Sequence, residues 1–208
     1  MSSSLTKHLN IVSLFEEGFI SFTKSWKKSV PFGILALTPL ALLMWSPLIG
    51  SITVLLLQGP LFLLAVEVVH TDKLPRLNSR AHLFSLFENG FILTLTVVPL
   101  FAISLLLFVI PAVIVMSLFI FSSSVVVMNN RFAIDALMES VKIGENHRLA
   151  LAFLSFFMLS SFALLFVFTE SVPILFAIVG GLLLSYEMTV VVAVYNRLTQ
   201  VGMSDEDE

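Results

Sequence analysis

The sequence predicts an all-α membrane protein: six transmembrane helices arranged as three hairpins, each preceded by a cytoplasmic amphipathic helix. Three observations carry this expectation. Of the 208 residues, 58% are apolar and 12% charged, about half the charge of a soluble domain, and the mean hydropathy is +1.02. The apolar residues gather in three blocks, 30–69, 91–128 and 149–195. Each is about twice the ~20 residues that cross a ~30 Å hydrocarbon core once. All eleven Lys and Arg lie outside the three predicted hairpin tips. A water-facing surface needs more polar residues than these, which excludes an ordinary soluble enzyme, a nucleic-acid reader and a disordered chain.

Residues 1–29 form the first element, a cytoplasmic amphipathic segment. Ile11, Leu14, Phe15, Gly18, Phe19, Phe22 and Trp26 fall on one helical face, and Glu16, Glu17, Thr23, Lys24 and Lys27 on the other. Residues 1–26 lack the apolar core of a cleavable signal, so insertion is expected to rely on the internal helices. The transmembrane domain follows over 30–198, with further cytoplasmic amphipathic helices near 77–90 and 131–148. Residues 199–208 form an acidic cytoplasmic tail, and Asp205, Glu206, Asp207 and Glu208 account for more than the whole net charge of -3.

Turn signals divide the blocks unevenly. Trp45-Ser46-Pro47 with Gly50-Ser51 marks the first tip, and Thr169-Glu170-Ser171 before Pro173 marks the third. The second block offers only Pro111 inside an apolar run. With six spans the termini and both polar loops share a face. That face carries Lys7, Lys24, Lys27, Lys28, Lys73, Arg76, Arg80, Arg131, Lys142, Arg148 and Arg197, so the positive-inside rule makes it cytoplasmic. The localisation expected is a bacterial inner membrane, multi-pass, with both termini cytoplasmic.

The chain repeats itself. Residues 13–20, Ser-Leu-Phe-Glu-Glu-Gly-Phe-Ile, return at 85–92 with seven of eight positions identical, and a weaker third copy occupies 136–141. An even number of spans separates the copies, which makes them parallel and weakens any analogy with inverted-repeat transporters.

The stretch 105–198 carries an ordered set of short motifs. Leu106-Leu107-Phe108-Val109-Ile110-Pro111-Ala112 precedes a loop, Ala136-Leu137-Met138-Glu139-Ser140 leads into Gly144-Glu145-Asn146-His147, and Tyr195-Asn196-Arg197-Leu198 closes the last span. This resembles the bacterial integral membrane proteins that include the YciC-like proteins and the membrane domain of some glycerophosphodiester phosphodiesterases, with Ala112 where the family pattern has Gly. The resemblance implies a six-helix inner-membrane protein. It implies no enzymatic activity, since the phosphodiesterase relatives carry catalysis in a separate soluble domain.

Candidate intramembrane polar residues are Glu187, Glu67 and Gln58. A carboxylate at a helix centre costs on the order of 2.5–3.5 kcal/mol on insertion scales, so Glu187 must face the bundle, pair, protonate or reach water. It reads either as a proton- or cation-linked site or as a structural carboxyl. Glu67 and His70 have the Glu-x-x-His spacing of carboxylate-bridged metal bundles, but only one such pair lies in a span. Gln58-Gly59-Pro60, Pro39 and Pro99 read as kinks or as broken-helix sites. Ser122-Ser123-Ser124 and Gly180-Gly181 read as packing surface. There are no cysteines, no phosphate-binding glycine loop and no nucleophilic triad inside the membrane, so no cofactor, metal or catalytic residue is expected. Lys24, Lys27, Lys28, Arg76, Arg80, Lys142 and Arg148 are the candidate headgroup contacts. The function expected is a non-enzymatic membrane protein that organises anionic lipid or a membrane protein partner and binds no nucleic acid. The alternative is a small-solute or ion transporter using Glu187.

Overall fold

A computed structural model of the chain describes residues 11–73, 79–107, 109–169 and 171–204. Among these, regular structure is entirely helical. Helix α1 spans Ile11–Trp45, α2 Pro47–Thr71, α3 Arg80–Leu107, α4 Val109–Phe119, α5 Ser122–Asn129, α6 Ala133–Ile143, α7 Arg148–Thr169 and α8 Pro173–Ser204. Six stretches are long and apolar enough to cross a bilayer, with α4 and α5 together forming one of them. The protein is a multi-pass membrane protein by this architecture.

The first two amphipathic segments differ from expectation. Residues 11–29 and 80–90 are not separate helices but the opening turns of α1 and α3. The helices run on through Pro31 and through Asn89-Gly90, and an unbroken helix leaves no backbone N–H or C=O to satisfy at the membrane boundary. At 35 residues, α1 is about 52 Å long, well beyond a ~30 Å hydrocarbon core. Only the third segment yields a helix of its own, α6, followed by a single 3-10 turn at Glu145–His147. Its start is set by Asn130, which adopts φ 49°, and by extended Phe132. Asn tolerates the left-handed region because its side chain bonds locally.

The tips follow the turn residues where they exist. Ser46 alone separates α1 from α2, and Pro47 opens α2 at the position where a missing N–H costs nothing. Pro173 opens α8 in the same way. In the second block α3 ends at Leu107 and α4 begins at Val109. Pro111 lies in the first turn of α4, where no intrahelical bond is lost. Pro31, Pro39, Pro60 and Pro99 all sit inside unbroken helices, so Gly59-Pro60 does not interrupt α2.

Contacts between the long helices close into a ring in the order α1, α2, α3, α4, α7, α8 and back to α1. The first and last helices form the most extensive pairing. Gly33 lies against Gly181 and Ser185, and Gly181 against Ile34, so the two backbones approach without intervening side chains. Ser185 donates to Ser29 O at 3.1 Å, and Thr189 to Gly18 O at 3.1 Å. Helices α8 and α2 bury 61% and 50% of their apolar stretch, whereas α3 and α7 bury 22% each. The former are the centre of the bundle. The outward side chains, such as Leu106 and Leu149 at 87% exposure, are apolar and suit lipid rather than water.

Candidate functional site

The ends of the helices that carry the loops are tied together by side chains. Lys28 Nζ donates to Asp72 O at 2.7 Å and Oδ1 at 3.1 Å, joining α1 to the end of α2. Arg197 on α8 donates to Ser13 Oγ at 3.3 Å and Glu17 Oε1 at 3.4 Å on α1. The Tyr195 hydroxyl donates to Asn129 Oδ1 at 3.4 Å, while its ring packs against those of Phe121 and His70. The closing Tyr195-Asn196-Arg197 segment therefore fastens α8 to α1, α2 and α5.

The repeat supplies much of this fastening. Its second position is buried in all three copies, as Leu14, Leu86 and Leu137. Its sixth position is a close approach in the first two: Gly18 lies against Val190 of α8, and Gly90 against Gly59 and Pro60 of α2. Its fifth position carries a polar group with a long-range role. Glu17 meets Arg197. Asn89 Oδ1 accepts from Ala133 N at 2.8 Å at the start of α6, and Ser140 Oγ accepts from Phe121 N at 3.2 Å where α4 gives way to α5. Ser140 also donates to Leu118 O at 2.9 Å. Buried backbone groups released by helix breaks are thus satisfied by side chains. The identity of the copies was visible in the sequence, but not the partners.

The loop-bearing end gathers the described basic residues. Lys24, Lys27, Arg80, Lys142 and Arg148 are exposed, as are Phe19, Ile20 and Trp26 near them on α1. The Lys27 ammonium lies 6.0 Å from the Trp26 ring centroid, and Arg148 pairs with Glu145 at 3.8 Å. Arg76, the N-terminal ten residues and Asp205–Glu208 lie outside the described residues. Exposed cations beside exposed aromatics form the surface chemistry of a membrane interface.

The three intramembrane candidates do not come together. Glu187, 2% exposed on α8, accepts from Ser161 Oγ of α7 at 2.6 Å, and its Oε2 has no partner. Gln58 Oε1 is buried without a partner, nine residues, or ~13 Å, up α2 from Glu67. Glu67 pairs with a residue that helix spacing does not single out. His82 Nε2 lies 3.0 Å from both Glu67 oxygens, bridging α2 and α3. His70, the partner suggested by spacing, turns instead to the Tyr195 ring and leaves Nε2 unpartnered. Glu67 and His82 line a cavity of about 240 Å3, to which neither Gln58 nor Glu187 contributes. Among the described residues no group of three or more His, Asp or Glu is placed to hold a metal.

The small-residue clusters pack as their composition suggests. Ser122 and Ser124 are buried, Gly180 lies against Leu37 and Leu165, and Gly181 against Ile34. Compared with known proteins, the chain matches no family model, no curated protein and no solved structure.

Proposed function

We propose that the chain is a non-enzymatic protein of a bacterial inner membrane that organises anionic lipid, or a membrane protein partner, through its loop-bearing end. In this reading the six spans form three parallel hairpins, both termini are cytoplasmic, and the chain is a distant relative of the YciC-like proteins. The observation that carries it is the placement of charge. Exposed Lys24, Lys27, Arg80, Lys142 and Arg148 occur at the end where Phe19, Ile20 and Trp26 are also exposed, and the opposite tips hold no Lys or Arg. Each basic side chain near an anionic leaflet is worth about 1 kcal/mol. Lys28 contributes less, because its ammonium is already held by Asp72.

The test is retention of phosphatidylglycerol by the purified protein, read by native mass spectrometry. Replacing Lys24, Lys27 and Lys28 with Gln is expected to lower retention by about tenfold or more, since two free ammoniums supply ~2 kcal/mol. Unchanged lipid and partner association would refute the reading. A transporter built around Glu187 finds less support, because Gln58 stands ~13 Å from Glu67 along α2 and neither Gln58 nor Glu187 lines the cavity at Glu67.

A further inference from the structure

The 240 Å3 cavity between α2, α3 and α5 is not accounted for by packing or by the basic surface. It lies at the loop-bearing end, one turn from the end of α2. Its polar lining is Glu67, Thr71, His82, Ser85 and Asn130, and α5 supplies an apolar wall that includes Val126. Among the described residues no Lys or Arg lines it. Glu67 is 8% exposed, and His82 is the side chain that meets its oxygens. The space is large enough for several waters, which is room for a compact charged group on a short aliphatic stem.

The geometry points to this cavity as a binding site for a primary ammonium group on a short aliphatic stem. Glu67 supplies the matching charge, the Thr71, Ser85 and Asn130 oxygens are further acceptors, and the α5 wall takes the methylenes. A buried carboxylate is stabilised by any positive charge that reaches it, and three ammonium hydrogens need several acceptors converging from different elements. An anion is disfavoured, because it would face the Glu67 oxygens, which already lie against His82. The ammonium could arrive on a lipid headgroup or on a soluble amine. The residues differ from Lys24, Lys27 and Lys28, so this site and the anionic-lipid surface fail independently.

The experiment follows the His82 ring resonances in nanodiscs of phosphatidylcholine, with histidine isotopically labelled and the signal assigned through His82→Gln. One arm adds free ethanolamine; the other replaces part of the lipid with phosphatidylethanolamine. A saturable shift in either arm, absent with glycerol, is the expected result, and the responding arm identifies the source. Glu67→Gln is expected to weaken the response at least tenfold. Should that variant fail to fold, Met128→Trp closes the cavity from its half-exposed rim and leaves the Glu67–His82 contact in place; it too should abolish the shift. No shift in either arm, an equal shift with glycerol, or an undiminished response in Glu67→Gln or Met128→Trp would overturn the proposal.

Discussion

Gly59 and Gly90 cross backbone against backbone: a β-carbon on Gly59 would meet Gly90 O and Thr94 Oγ1, and one on Gly90 would meet Pro60 N and Gly59 C. Helices α2 and α3 can touch at this point only because both residues lack a side chain. Gly90 is also the sixth position of the repeat, where Gly18 likewise permits a close approach, there to the Val190 side chain. The duplicated sequence thus encodes a repeated manner of helix contact.

Gly90→Ala and Gly59→Ala are expected to destabilise the bundle by about 1–3 kcal/mol each, because backbone rather than a flexible side chain stands in the way. Thermal unfolding in detergent checks this. Gly144→Ala is the control, since it meets mainly the movable end of Leu151, and should cost less.

Asn89 bonds the first free N–H of α6, and no other described residue replaces it. Asn89→Ala should cost about 1 kcal/mol, in line with loss of a helix cap. Hydrogen exchange should rise first at the amides of α6, while those of α8 stay protected.

Glu187 is held by one hydroxyl in the middle of the bundle. Glu187→Gln keeps an oxygen to accept from Ser161 and nearly the same volume, so a change in stability below about 1 kcal/mol is expected. Solute or proton flux through liposomes should be the same for both proteins; a loss of flux in a well-folded Glu187→Gln protein would favour the transport reading.

The Lys28–Asp72 ion pair is about half-exposed on both sides. Lys28→Gln should change stability by only ~0–1 kcal/mol, and, with its ammonium already held by Asp72, should lower lipid retention less than Lys24→Gln or Lys27→Gln.

Parts of this architecture were legible in the sequence because they are local. Apolar length gave the spans, and Ser46-Pro47 and Pro173 gave two tips, since Pro fixes where a helix begins. The second tip could not be placed from the sequence, because Pro111, the one signal in that block, is equally at home in a helix's first turn. The break at Ile120–Phe121 has only a weak local signal, Ser122, whose hydroxyl donates to Phe119 O; it is also stabilised by Ser140, 19 residues away. Spacing put His70 beside Glu67, but the partner is His82 from the next helix, and helix periodicity says nothing about which helix lies opposite. The same limit hid the pairing of α1 with α8, which depends on Gly33 and Gly181 meeting across 148 residues of sequence.

The central claim is that the loop-bearing end faces the cytoplasm across six spans. The chain has no cysteine, so single cysteines report cleanly on sidedness. With a membrane-impermeant maleimide on intact spheroplasts, Ser46→Cys and Ser171→Cys should label from outside, and Ser79→Cys and Asn146→Cys only after permeabilisation. Labelling of Ser79→Cys or Asn146→Cys from outside, with Ser46→Cys and Ser171→Cys protected, would contradict it.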